Sequence, residues 1–442
     1  MSKAKLPKRV SSALMSSLAA GVVPRVGLEH IAVGRKEEIA ALLEDLQIVQ
    51  EGGAAFRFIV GRYGSGKSFM LQLLRNYATD RRFAVADVDL SPERRLTGSG
   101  GQGLSTYREL MRNLATKTRP DGGALAAILE KWISSVQARV VQETGLRATD
   151  DDFAFQVESR IMQTVHSMEG MVHGFDFATV LSSYWNGFRL GDDEMKANAL
   201  KWMRGEFATK TEAKTALRVS VIIDDDSWYD YLKLFGKLVT SVGYEGLVVF
   251  IDEAANLYKI THSVSRQNNY EKILSMFNDT MQGKVESVGI VVGGTPQFVE
   301  DSRRGLYSYE ALRSRLSESR FSGGAFRDFS GPIIRIETLT HNEIFVLLTR
   351  IANVHAIHHG YRSNLTPEEL RDFMQEITNR LGAETMLTPR EVVRDFVTVL
   401  NILVQNPEAT LRQIVHSGEF SPSQPGENSA EESTDGFEEF SL

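Results

Sequence analysis

The sequence predicts an α/β fold, a parallel sheet with helices on both faces, interrupted by a long helical insertion and followed by a helical closing segment. Three observations predict it. Short apolar runs alternate with longer stretches of helical spacing, the pattern of parallel strands joined by crossover helices. One run, residues 56–60, passes directly into a glycine-rich turn and then a helical segment. Another, residues 247–251, ends in two carboxylates, Asp252 and Glu253.

The elements follow in chain order. Lys3, Lys5, Lys8 and Arg9 precede a mildly apolar stretch that could pass for a secretory signal, but Ser16 and Ser17 interrupt it. Val10, Leu14, Leu18 and Val22 recur every four residues and draw a stripe on one helix face instead. A second helix runs from Gly34-Arg35-Lys36-Glu37 to about Gln50, where Glu51-Gly52-Gly53 stops it. A strand at 56–60, a helix at 68–77 and a strand at 83–90 come next, then a Gly/Ser-rich loop over 96–105. The region up to about Gly243 reads as helices with ordinary core stripes, such as Met195, Ala199, Trp202 and Met203. The sheet resumes at 247–251, followed by a helix at 270–281, a strand at 288–292, a helix at 307–319 and a last strand at 333–336. Helices at 341–351, 367–381 and 389–403 close the fold. Past Pro407 the composition turns to Ser, Pro, Gly and Glu, which bury too little apolar area to fold. The implied organisation is an N-terminal helix (1–30), a core (31–91 and 244–337), an insert (92–243), a helical lid (338–405) and an acidic, disordered tail (406–442).

Composition narrows the function classes. Of 442 residues, 42% are hydrophobic and 24% charged, ordinary globular usage, so a large core can form. The absence of cysteine excludes disulfides, thiolate metal sites and cysteine nucleophiles. No apolar run approaches the ~18–20 residues of a membrane helix, and a cytoplasmic protein is expected. The net charge of −7 lies wholly in residues 417–442, whose acids are Glu419, Glu427, Glu431, Glu432, Asp435, Glu438 and Glu439. The electrically balanced remainder does not advertise nucleic-acid binding, although it leaves room for a local basic patch.

The chemistry-bearing residues begin with Gly61-Arg62-Tyr63-Gly64-Ser65-Gly66-Lys67-Ser68, a full match to G-x-x-x-x-G-K-[ST] between a buried strand and a helix. Gly61, Gly64 and Gly66 let backbone N–H groups close around phosphates, with Ser65 among them, and the helix N-terminus adds partial positive charge. Lys67 is placed to reach the β- and γ-phosphates of ATP and the Ser68 hydroxyl to hold Mg²⁺. The run ending in Asp252-Glu253 puts Asp252 at the carboxyl edge of the sheet as the second Mg²⁺-positioning group, with Glu253 as the base for the attacking water. The strand at 288–292 leads to Thr295, and to Gln297 as second choice, for contact with the γ-phosphate or the water. Arg313, Arg315 and Arg320 are candidates for an arginine that stabilises transition-state charge in a neighbouring copy. Thr388-Pro389-Arg390-Glu391 has the form of a capped helix start, and presents Arg390 from the first turn of a lid helix, where it can contact the nucleotide phosphate. Asp224-Asp225-Asp226 read as helix-entry carboxylates rather than a metal site.

In order and approximate spacing, these motifs resemble a P-loop NTPase of the AAA+ class, over roughly residues 30–405. Ile31-Ala32-Val33-Gly34-Arg35 resembles the adenine-pocket segment of its initiator and origin-recognition branch, which assigns Val33 and Gly34 to nucleotide binding. The long insertion before Asp252 departs from that branch, as does the lack of room for a winged-helix DNA-binding domain after the lid. A closer likeness is carried by Ala20-Gly21-Val22-Val23-Pro24-Arg25, by Leu200-Lys201-Trp202-Met203-Arg204-Gly205-Glu206-Phe207-Ala208-Thr209-Lys210-Thr211-Glu212-Ala213, and by Gly243-Tyr244-Glu245-Gly246. These are similar to the ATP-binding proteins of BREX-type phage-defence islands, the BrxC/BrxD P-loop family. The resemblance implies an ATPase using ATP and Mg²⁺, assembling as a homo-oligomer and loading or regulating a partner helicase, with DNA as a possible contact. Lys201, Arg204, Lys210 and Lys214, or the Arg94-Arg95 pair, could form a basic edge for DNA. The alternative is an ATP-gated protein–protein switch or scaffold without DNA contact; a self-sufficient translocating motor is the least supported reading.

Overall fold

The computed structural model describes residues 6–317, 328–381 and 388–417. In chain order the elements are α1 (Lys8–Ala19), a 3₁₀ turn (Leu28–His30), α2 (Lys36–Gln50), β1 (Ala54–Gly61), α3 (Lys67–Asp80) and β2 (Ala84–Asp89). The insert follows as α4 (Gln102–Arg112), α5 (Leu125–Thr144), α6 (Asp151–Glu169), α7 (Gly174–Leu190), α8 (Asp193–Met203), α9 (Lys210–Leu217) and α10 (Trp228–Ser241). Then come β3 (Leu247–Asp252), α11 (Ala255–Tyr258), α12 (Ser263–Met281), β4 (Val288–Gly294), α13 (Pro296–Glu300), a 3₁₀ turn (Leu306–Ser308), α14 (Glu310–Leu316) and β5 (Ile333–Ile336). The chain closes with α15 (His341–His359), α16 (Pro367–Leu381), α17 (Pro389–Gln405) and α18 (Leu411–Val415). It divides into two compact units, one of residues 36–61 and 74–335, the other of residues 1–35, 62–73 and 336–442.

The first unit holds the sheet, in the order β2-β3-β4-β1-β5. The β1–β4, β3–β4 and β2–β3 pairs are parallel, as the alternation of strands and helices predicts. Every residue of β4 is buried, so it lies in the middle of the sheet and reads as an unbroken small and apolar run. The register sets the strand ends level: Val60 faces Gly294, and Ile251 faces Val292. With neighbouring strands about 4.8 Å apart, the carboxyl ends of β1 and β3 stand roughly 10 Å from one another with β4 between them. That edge is where ligands of open α/β sheets bind.

Alternate strand residues, Phe56, Phe58 and Val60 on β1, Leu247, Val249 and Ile251 on β3, share one apolar cluster with the insert's Trp132, Trp202, Trp228 and Tyr231. The insert is therefore built onto one sheet face and continues its core. Asn269 on α12, fully buried, clamps the loop after β2: its Oδ1 accepts from the Leu96 and Thr97 amides at 2.9 and 3.1 Å, and its Nδ2 donates to the Thr97 carbonyl. Trp228 Nε1 donates to the Leu96 carbonyl at 2.9 Å, so α10 grips the same loop.

The second unit is helical where described. α1 packs on α15 and α17 through Leu14 and Leu18. The stripe expected to reach Val22 stops short, because the helix ends at Ala19 and leaves Val22 half exposed. α17 buries Val392, Val393, Phe396 and Leu400. His355 on α15 is fully buried, bonded to Tyr361 Oη at 2.8 Å and Asn401 Oδ1 at 3.1 Å.

Three further expectations about elements need correction. The helix placed over 307–319 is a 3₁₀ turn and then α14, because Tyr309 is extended between them and Ser317 is extended after Leu316. Tyr307 Oη donates to the Leu316 carbonyl, which closes that short helix. α15 runs past Ile351 to His359, where Gly360 with φ of 76° stops it in the left-handed region. The stretch beyond Pro407 is not wholly unfolded: Thr410 and Gln413 form a capping box, and α18 buries Leu411 and Val415 against α16 and α17. The acids from Glu419 onward lie outside the described residues. Among the described residues no helix is long and apolar enough to cross a membrane.

Candidate nucleotide-binding site

Gly61 ends β1 and the chain runs at once into the glycine-rich loop, whose Gly64 and Gly66 take φ of 74° and 93°. Both values lie in the left-handed region, where a side chain is strained, so glycine is required at these two positions by backbone conformation. The turn is closed by the Ser65 amide donating to the Arg62 carbonyl at 3.1 Å, and Lys67 Nζ donates to the same carbonyl at 3.0 Å. Because α3 begins at Lys67, the amides of its first turn have no acceptor within the helix and carry its positive end.

Among the described residues, the hydroxyls of Ser65 and Thr388 are buried here without a hydrogen-bond partner. Ser65 is only 2% exposed and its Oγ is unpaired; Thr388 Oγ1 is in the same condition. Thr388 abuts the loop directly, since a Cβ on Gly64 would fall 2.8 Å from Thr388 Cβ and 2.9 Å from its Cγ2. Around Gly66 a Cβ would meet nothing within 4 Å among the described residues. Open space, unsatisfied hydroxyls, helix-end amides and a lysine are the features that suit a phosphate chain.

The segment before α2 braces this loop. Gly34 and Arg35 are both left-handed, with φ of 66° and 59°, and a side chain on Gly34 would run into the Glu343 carboxylate. Arg35 Nη2 donates to the Ser65 carbonyl at 3.3 Å and to the Glu337 carbonyl, fastening the segment between β5 and α15 to the loop. Val33, half-buried, precedes this pair. The Arg35 bracing role was not visible in the sequence, where it stands as one residue of a resemblance.

Thr388, Pro389 and Arg390 open α17, but the expected capping box is not made. Thr388 makes no side-chain cap bond, because its methyl and Cβ are used in packing against Gly64. Glu391 is buried, its Oε2 has no partner among the described residues, and burial pushes its carboxyl above the usual range. Arg390 Nη1 donates to Tyr63 Oη at 3.1 Å, and its Nε donates to the Gly21 carbonyl.

The sheet edge carries the acidic groups. Asp252 is the last residue of β3, and Glu253 follows with φ of 55°, an unusual conformation for a long side chain. The Glu253 amide donates to Asp252 Oδ1 at 2.8 Å, and the Ala254 amide donates to the Gly293 carbonyl, so the turn is held to the end of β4. Asp89 stands level with Asp252 on β2. Burial, then the charges of Asp252 and Asp87, hold its carboxyl above the usual range. Thr295 caps α13 by accepting from the Phe298 amide at 3.3 Å; its hydroxyl hydrogen remains a donor, and Gln297 is exposed two residues on.

The downstream arginines separate. Arg315 donates to Asn278 Oδ1 at 2.9 Å and to the Ala311 carbonyl at 2.8 Å. Arg313, two positions before it, is exposed and its side chain has no hydrogen-bond partner among the described residues. Arg320 lies outside them. In the insert, Lys201 sits over the Phe207 ring, and Arg204 donates to the Leu200 carbonyl and lies 3.4 Å from Glu206. Gly205 lets this turn meet α4, where Tyr107 Oη donates to the Met203 carbonyl and Arg108 Nε to the Gly205 carbonyl. The stretch after Arg204 thus serves to fasten the insert, leaving Lys210 and Lys214 as the outward part of the expected basic edge. Arg94 is committed to the Asp89 carbonyl at 3.1 Å. Asp224 Oδ1 accepts from the Ser227 amide and hydroxyl, and Asp225 Oδ1 from the Leu104 amide.

Among known families, that described as BREX system ATP-binding protein BrxC/D matches residues 6–419. No curated protein matches the chain.

Proposed function

The chain belongs to the BrxC/BrxD family of BREX system ATP-binding proteins, and from that membership we propose that it is an AAA+ ATPase of a phage-defence system. The observation that carries the reading is the glycine-rich loop, with left-handed Gly64 and Gly66, the buried unpaired Ser65 hydroxyl and the α3 N-terminus immediately after it. The loop amides and Lys67 bind the phosphates. Ser68 and Asp252 hold Mg²⁺, which neutralises charge developing on the phosphate oxygens when it is bound. Glu253 accepts the proton of the attacking water, and Thr295 orients that water or the γ-phosphate. Arg390 reads phosphate from the lid. Arg313 serves a neighbouring copy in an ATP-dependent homo-oligomer, a role supported by the exposure of its side chain and its lack of a side-chain partner among the described residues.

Downstream of hydrolysis, the protein loads or regulates a partner helicase, on or beside DNA. The engagement of Lys201 and Arg204 within the insert favours the second reading, an ATP-gated switch directed at proteins without DNA contact. Glu253→Gln is the testing variant, since it retains ATP and slows turnover by orders of magnitude. Its DNA binding by fluorescence anisotropy, with ATP and with ADP at fixed salt, discriminates the two. Tighter binding with ATP supports a DNA-directed loader. No binding in either state leaves the protein-directed switch.

A further inference from the structure

Tyr63 fills one of the unspecified positions of the phosphate-loop pattern, so the motif attaches no role to it. The residue is 63% exposed, yet its hydroxyl is engaged by Arg390 Nη1 at 3.1 Å. On another edge of the same guanidinium, Nε is taken by the Gly21 carbonyl. A guanidinium carries five N–H donors in one plane, so two bonds from different nitrogens fix that plane and leave donors for an anion. Two positions earlier in the chain, Thr388 rests against Gly64, so the start of α17 meets the loop both at Gly64 and at Tyr63. An arginine held in this way has already lost the rotamer freedom that a mobile one loses on binding its ligand.

We infer that Tyr63 is a positioning residue that acts through Arg390, holding the guanidinium in place for a nucleotide phosphate. The inference rests on the ATP-binding reading above. Removing only the hydroxyl leaves the ring, the loop backbone and Lys67 intact, and frees Arg390 Nη1.

The test is a double-mutant cycle read by titration with a fluorescent ATP analogue. Tyr63→Phe is expected to weaken binding by about 3- to 10-fold, the net worth of one ordinary hydrogen bond at an exposed site. Arg390→Ala weakens it further, and Tyr63→Phe added to Arg390→Ala changes nothing more. The thermal midpoint of Tyr63→Phe stays at the wild-type value, which a merely structural role would not predict alongside lost affinity. Equal weakening in both backgrounds overturns the inference, because Tyr63 would then act on nucleotide without Arg390. Unchanged affinity in Tyr63→Phe overturns it as well. Lys67→Ala binding as tightly as wild type overturns the nucleotide reading itself, whatever the cycle gives.

Discussion

Gly64 and Gly66 look equivalent in the motif, and alanine at each is predicted to have different consequences. Both have positive φ, so a Cβ at either costs about 1–2 kcal/mol in backbone conformation. At Gly66 that is the whole effect, since among the described residues nothing lies within 4 Å of the added atom. At Gly64 the atom would sit 2.8 Å from Thr388 Cβ, well inside contact distance, and overpacking adds about 1–3 kcal/mol. Gly64→Ala should therefore exceed Gly66→Ala by about 1–3 kcal/mol in urea denaturation. Amide hydrogen exchange gives the second readout: α17 should lose protection in Gly64→Ala and keep it in Gly66→Ala. Thr388→Gly supplies the control, because it removes the side chain that Gly64→Ala strikes and should close most of the gap. Equal costs at the two glycines, or a gap that survives Thr388→Gly, would refute the packing of the α17 start on the loop.

Other consequences are testable independently. Asn269→Ala should destabilise the protein by about 2–4 kcal/mol in urea denaturation, because it strands the buried Leu96 amide and releases the Thr97 backbone. Arg313→Ala should lower ATP turnover at least 100-fold with ATP affinity retained, while Arg315→Ala, which severs the Asn278 bond, should change turnover much less. Burial, foremost, holds the His355 pKa below 6.5 despite its Asn401 bond, with His359 and His358 adding to the effect. The folded state then binds fewer protons than the unfolded state as the pH drops. The stabilisation is present above about pH 6.5 and lost as the pH falls from there through the folded pKa. Hydrogen exchange of α15 and α17 at pH 5.5 and 7.5 should register that loss, and His355→Gln should flatten it.

Legibility tracked distance along the chain. The strands at 56–60, 247–251 and 333–336 were readable because each is a short apolar run bounded by turn residues, and they appear as β1, β3 and β5 with bounds shifted by a residue or two at most. Helix ends were read less well. α15 overran its expected end because Val354 and Ala356 continue the buried face up to Gly360, and α18 was missed because five residues are too few for a periodicity. Thr388-Pro389-Arg390-Glu391 has every residue of a capping box, and local pattern alone predicts one. Contact with Gly64 overrode it, since the Thr388 side chain cannot both pack there and turn back onto its own helix.

By itself the sequence determined the α/β class, the glycine-rich loop between strand and helix, and the acidic strand end, because each is a pattern within a few consecutive residues obeying local backbone rules. Tertiary structure alone decided which side chains those motifs use: Tyr63 holding Arg390 across 327 positions, Asn269 clamping Leu96 across 173, and Arg315 tied to Asn278 while Arg313 faces outward. The physical reason is that hydrogen-bond partners and burial depend on which distant segments pack together, and that packing leaves no mark in the spacing of neighbouring residues.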